Sequence, residues 1–338
     1  MDQQKTINVA LQGGGSHGAF TWGVLEKLLE DGRLSFSCLC GTSAGAVNTV
    51  ALAYGLHKGG PAGAIELMEK IWHQVSMQQS FSPLQPSPVS RLLGDFNVSF
   101  SPMYYLYEFW SQLLSPYQFN PANFNPLRQI LERNIDFEEL QQSQYNIYLC
   151  ATNVKTCRAK VFSCEEITTD AVLASTCLPQ VFQAVQIAGE AYWDGGFMGN
   201  PPIFPLIDHS PCPDILLIQI NAIEIDFIPT SVDEIKDRLN EVSFNSNLMR
   251  EMRSINQIDK LVNKYPELLK SGLKKLYMHH INAGDYVEGL SIQSKLNADW
   301  NFLNYLRDKG RDAAQNWLDK HFNQVGKASS VNMQKVFL

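Results

Sequence analysis

Cys38-Leu39-Cys40-Gly41-Thr42-Ser43-Ala44-Gly45-Ala46-Val47 is the stretch from which the rest of this chain can be read. The apolar run over residues 36–40 predicts a buried strand, and the small-residue segment 46–56 predicts a helix. Between them, Gly41 to Gly45 has the G-x-S-x-G spacing. Glycines there tolerate a cramped turn, so the serine hydroxyl is lifted clear of a sheet toward solvent. Ser43 is the candidate nucleophile. A five-residue pattern also arises by chance, so its context has to support it.

Upstream, residues 7–11 predict a short strand and residues 19–29 a helix, with Phe20, Val24, Leu25, Leu28 and Leu29 on one face. The loop Gln12-Gly13-Gly14-Gly15-Ser16-His17-Gly18 joins them. A glycine loop at a helix N-terminus turns several backbone N–H groups toward one point and receives an anion. Gly13, Gly15 and Gly18 also satisfy the dinucleotide pattern G-x-G-x-x-G, but that site wants an acidic residue at the end of the second strand. Here that strand ends in Gly41-Thr42-Ser43, whereas Glu30 and Asp31 precede it. The oxyanion of an acyl transfer is the better fit. If the first two strands are parallel neighbours, their following loops open on one edge, and the Gly14 and Gly15 amides face Ser43.

The composition suits a folded globular protein: 338 residues, 45% hydrophobic and 18% charged, enough for one large α/β unit or two smaller ones. No apolar run reaches the roughly 18 residues of a membrane span. Residues 1–6 are polar with no apolar segment behind them, so cytoplasmic synthesis is the default expectation. Peripheral membrane association and signal-independent export stay open. A net charge of −7 gives no footprint for nucleic acid and opposes anionic membranes, so any lipid contact must be local. Seven cysteines, mostly in apolar runs, show neither zinc spacing nor a disulfide framework, and no metal or cofactor is expected.

Further along, a helix is expected over 64–75. Residues 80–125 then carry six prolines and the aromatic cluster 103–110, read as core cover or, alternatively, as a lid or lipid-facing surface. Strands are expected at 145–152, 160–163, 187–193, 214–221 and 277–282, and helices at 124–140, 169–177, 232–276 (broken near Pro266) and 299–322. The last dozen residues read as loose.

A serine hydroxyl needs a base. Of the seven histidines (His17, His57, His73, His209, His279, His280 and His321), none sits in a motif of its own. A Ser-Asp-His triad would draw on Ser43, Asp194 and one of His209, His279 or His280. That reading ranks second, because Ser43 follows only the second strand, early for such a fold. Asp194 follows a short strand and precedes Gly195 and Gly196, so its carboxylate stands on a tight turn.

Taken together, the loop 13–18, the elbow 41–45, the stretch 175–182 and the Asp194-Gly195-Gly196 turn resemble the patatin-like phospholipase family, over roughly residues 5–209. The resemblance implies an α/β fold, a three-layer α/β/α unit around a mostly parallel sheet. It also implies metal-free hydrolysis of lipid acyl esters by a Ser-Asp dyad, at a lipid or membrane surface. Carried over, Ser43 is the nucleophile, Asp194 its base, and the loop of Gly13, Gly14, Gly15 and Gly18 the oxyanion hole. Gly41 and Gly45 form the elbow. Gln12 and His17 depart from the Asp and Arg often found in the family's loop. Residues 210–325 resemble the longer C-terminal part of a bacterial subset and are expected to pack on the same unit, with 326–338 as a loose tail. A lone carboxylate is a weak base, so Asp194 should be shielded from water. The alternatives are a Ser-His-Asp esterase or thioesterase, and a non-catalytic lipid-binding scaffold. Protein partners are not readable.

Overall fold

Alternation of apolar side chains across the strands decides the architecture. In β1 (Lys5–Leu11), Val9 and Leu11 face one hydrophobic core and Ala10 the other. In β2 (Leu34–Thr42), Leu39 opposes Cys38 and Cys40 in the same way. A sheet buried on both faces needs a helical layer on each side. The computed structural model describes residues 4–79, 114–287 and 292–338. It shows such a three-layer α/β/α arrangement around an eight-stranded sheet.

The strands after β2 are β3 (Asn146–Asn153), β4 (Ala159–Ser163), β5 (Val185–Ile187), β6 (Glu190–Asp194), β7 (Asp214–Gln219) and β8 (Tyr277–Asn282). Their order across the sheet is β5-β6-β3-β2-β1-β7-β8, with β4 also on β3. The run β3-β2-β1-β7-β8 is parallel, and β4 and β6 meet β3 antiparallel. Strand β7 is buried at every position, as its unbroken apolar run requires at mid-sheet. The sheet is therefore mixed only on the far side of β2, where β4, β5 and β6 pair antiparallel and Asp194 lies opposite Ala151.

The helices are α1 (Gly18–Asp31), α2 (Ala44–Gln79), α3 (Pro116–Phe119), α4 (Pro126–Asn134), α5 (Phe137–Gln141), α6 (Thr169–Ser175), α7 (Phe204–His209), α8 (Val232–Lys264), α9 (Trp300–His321) and α10 (Met333–Phe337). Within α2, Gly59 and Gly60 leave helical dihedrals ahead of Pro61, and this break separates the two helices expected there. Helices α1, α2 and α9 share one core with Val9, Leu39 and Leu216, while α7, α8 and α10 share the other with Ala10, Cys38 and Leu217. The aromatic cluster 103–110 lies outside the described residues.

Helices α1 and α9 touch at backbone distance. A Cβ on Gly23 would lie 1.9 Å from Arg307 O, and one on Gly310 would lie 2.0 Å from Phe20 O. Beside this crossing, buried Glu26 accepts from Arg307 Nε at 2.6 Å and from Arg311 at 2.5 Å, and Arg311 also reaches Glu30. The segment after residue 209 thus supplies two strands of the same sheet and the helix that packs on α1. The expected loose tail is a correction. Phe337 is buried, and Ser329 and Ser330 bond to Met278 and His279, because β8 leaves an apolar edge that α10 covers.

Candidate active site

Strand β2 ends at Thr42, and the chain enters α2 at Ala44 with Ser43 between them at φ 56°. That left-handed conformation costs a non-glycine residue about 1–3 kcal/mol and persists only where neighbours enforce it. The neighbours are identifiable. Ser43 N–H donates to Ser175 Oγ at 3.0 Å, and Ser43 C=O accepts from Ala46 and Val47 at the start of α2. The turn is the strand-elbow-helix read from Gly41 to Gly45. Ser43 is only 9% exposed, so its side chain lies in a recess and not in open solvent as the bare spacing suggested.

The glycine loop meets this elbow. A Cβ on Gly13 would lie 2.6 Å from Ser43 Cβ and 2.6 Å from Thr42 O, so only glycine lets the two turns approach so closely. Gly13 N–H donates to Asn200 Oδ1 at 2.7 Å, and Gly13 C=O accepts from Asn221 Nδ2 at 2.7 Å. Gly14 and Gly15 N–H donate to no acceptor among the described residues. Gly15 has φ 57°, and a Cβ there would strike Lys295 O at 2.5 Å. Gly18 opens α1 against Ala44, Gly41 sits under Gly45, and Gly45 abuts Leu11 O at the end of β1. The two loops therefore share one edge of the sheet, with β1 and β2 parallel neighbours.

Asp194 ends β6 and is fully buried. Its amide donates to Cys177 O, and Thr152 Oγ1 donates to its carbonyl, fixing the backbone from both sides. Carboxyl Oδ1 accepts Gly196 N–H at 2.7 Å. Oδ2 accepts no hydrogen bond from any described residue. Burial pushes the pKa up to about 7, against smaller lowering effects of the Gly196 amide and the Ser43 hydroxyl. Ser43 is thus near enough to act on the carboxyl, although no hydrogen bond of good geometry reaches Oδ2. Gly195 packs on Cys150 O and Thr42, and Gly196 on the Phe244 ring of α8.

The two departures in the glycine loop have structural partners. Gln12 Oε1 accepts the Ile220 and Asn221 amides at 2.7 Å each, and its Nε2 donates to Asn245 Oδ1. His17 is buried and pairs with Ser294 Oγ at 2.7 Å. Burial, then Lys295, pushes its pKa down to about 3, so the ring is neutral. Lys295 instead brings a cation to the loop, donating to Asn221 Oδ1 at 2.5 Å. Its pKa is pushed down by burial, while Glu241 and Asp237 act the other way. A recess of about 60 Å³ behind the loop is lined by His17, Phe20, Asn221 and Lys295 among others.

No histidine bonds to Ser43 or Asp194. His279 pairs with Asp214 and Ser330, His280 with Gln219, and His209 stacks on Tyr148. Asn200, Asn221, Asn245 and Lys295 were not singled out from the sequence. Asn221 had a signal, since it follows the carboxyl end of a central strand, where sites of such sheets open. Ser175, the first residue of the family-like stretch 175–182, has no role assigned from the sequence.

The fold and this edge define a three-layer α/β/α protein with a serine elbow, a glycine loop and a buried carboxyl at adjacent strand ends. The family described as patatin-like phospholipase matches residues 9–207, and the chain belongs to that family. Solved structures that resemble the chain include VipD from Legionella pneumophila, at TM-score 0.44 and 17% identity over 93% of this chain and 67% of that one. The ExoU-SpcU complex of Pseudomonas aeruginosa matches at TM-score 0.35 and 20% identity, over 80% of this chain and 59% of that one. The chain thus spans well under the full length of both. No curated protein matches it.

Proposed function

We propose that this protein is a serine acyl hydrolase that cleaves fatty acyl esters of lipids through a Ser43–Asp194 dyad and an acyl-enzyme. Ser43 Oγ attacks the ester carbonyl while its proton passes to Asp194 Oδ2. The carbonyl oxygen becomes an oxyanion, received by the Gly14 and Gly15 amides. Collapse expels the alcohol, which takes the proton back from Asp194, and leaves the acyl group on Ser43. Water then attacks, giving its proton to Asp194. The second collapse frees the fatty acid and returns the proton to Ser43.

The observation that carries this reading is the buried, unpartnered Oδ2 of Asp194, on a carboxyl whose pKa lies near 7. A base works best with a pKa close to the working pH, and an ordinary exposed aspartate is some three units too acidic. Membership of the family supports a lipid as the substrate class. The engagement of His209, His279 and His280 elsewhere favours the dyad over a triad. The test is a panel of phospholipids, neutral glycerides and acyl thioesters offered to the wild type and to Ser43→Ala. Release of fatty acid from lipid esters by the wild type alone is expected. Equal release by both proteins would overturn the assignment.

A further inference from the structure

We infer that one face of helix α8 is a docking surface for an anionic lipid bilayer. Phe227 and Ile228, just ahead of the helix, are 58% and 84% exposed. Within it, Val232 and Leu239 are 68% and 65% exposed, with Ile235 and Val242 beside them at 45% and 52%. Successive helix residues turn by about 100°, so these four project along a single line. The same line continues through Arg250, Arg253, Lys260 and Lys264, all exposed and none with an ion-pair partner among the described residues.

The helix separates its charges. All eight side chains fall within about 50° of that line, whereas Glu234, Asp237, Glu241, Glu251 and Asp259 lie about 115° or more from it. In a chain of net charge −7, an acid-free face with an apolar first half and an unpaired basic second half is complementary to a membrane surface. Apolar side chains enter the headgroup boundary, and arginine and lysine meet lipid phosphates. The opposite face of α8 holds the candidate site. Phe244 packs on Gly196, Asn245 bonds Gln12, and Asn247 donates to Phe197 O at 2.7 Å. A bilayer seated on one side of α8 is thereby joined by a single rigid element to the acyl site on the other. The inference rests on the proposed lipid substrate for its meaning, but its test does not require turnover.

Sedimentation with vesicles of phosphatidylcholine alone, and of phosphatidylcholine with phosphatidylglycerol, is measured in the Ser43→Ala background so that no lipid is consumed. Binding should be stronger to the mixed vesicles. Arg250→Glu with Arg253→Glu should weaken it about thirtyfold, each lost contact being worth about a factor of five. Leu239→Glu with Val242→Glu should abolish binding to both. On the wild-type background, both double variants should keep the wild-type rate on a water-soluble short-chain ester, which shows that they fold. Vesicle binding indifferent to both pairs would overturn the inference. So would absence of vesicle binding with a soluble dimer that Leu239→Glu and Val242→Glu dissociate, which would assign the face to a second copy. Face-dependent binding by a wild type that hydrolyses nothing would uphold the docking surface and overturn the reaction.

Discussion

The amide of Ser43 donates to Ser175 Oγ at 3.0 Å, tying the residue at φ 56° to the last turn of α6. A buried amide that loses its acceptor costs about 1–3 kcal/mol, and here the loss falls on the residue whose direction matters. Ser175→Ala should therefore lower kcat about tenfold or more with little change in KM, while the melting temperature falls by a few degrees. Steady-state kinetics beside a thermal melt check both.

Asp194 is fully buried and Glu251 partly so, and desolvation pushes each carboxyl up to about 7. In the unfolded chain both ionise near pH 4. Between about pH 4 and pH 7 the unfolded state holds fewer protons, so stability falls as pH rises, and the full cost is present above 7. Asp194→Asn removes one share of it. That variant should be more stable than the wild type at pH 8, by up to about 4 kcal/mol, with the difference closing toward pH 4. Urea unfolding at the two pH values measures it.

Activity should run the other way. Only the ionised Asp194 can take the serine proton, so kcat/KM should rise about tenfold per pH unit up to about pH 7 and level off above. A rate profile from pH 5 to 9 on a soluble ester reads this directly.

His209→Ala, His279→Gln and His280→Ala should each retain most of the wild-type turnover per folded molecule. Their rings serve Tyr148, Asp214 with Ser330, and Gln219. His279→Gln should still lower stability, since Asp214 is buried and loses a partner. A triad would instead lose several orders of magnitude with its histidine.

At the crossing of α1 and α9, Gly23→Ala and Gly310→Ala each place a methyl within about 2 Å of a carbonyl oxygen of the facing helix. Each should destabilise the fold by at least 2 kcal/mol, roughly the upper range of overpacking. Because α1 carries the glycine loop, the damage should extend to kcat. Unfolding curves and kinetics on the same preparations check it.

The elbow, the glycine loop and the aspartate turn were legible in the chain because each is a local pattern whose backbone demands restrict residue type. Gly13 shows why: its side-chain-free approach to Ser43 is a contact, but the need for glycine is written at one position. The long-range polar partners were not legible. Asn200 and Asn221 hold the two ends of the Gly13 peptide from 187 and 208 residues away, and no spacing announces such contacts. The burial that raises the Asp194 pKa likewise comes from packing by elements distant in sequence. The tail was misread because small polar residues such as Ser329 and Ser330 suggest a free end, while a single Phe337 anchors it.

The most direct measurement is peptide mapping by mass spectrometry after reaction with a fluorophosphonate, which traps an activated serine nucleophile. One adduct on Ser43 is expected in the wild type, little adduct in Asp194→Asn, and none in Ser43→Ala. An adduct on another serine, or lipid hydrolysis that continues in a protein whose Ser43 has been changed to alanine, would contradict it.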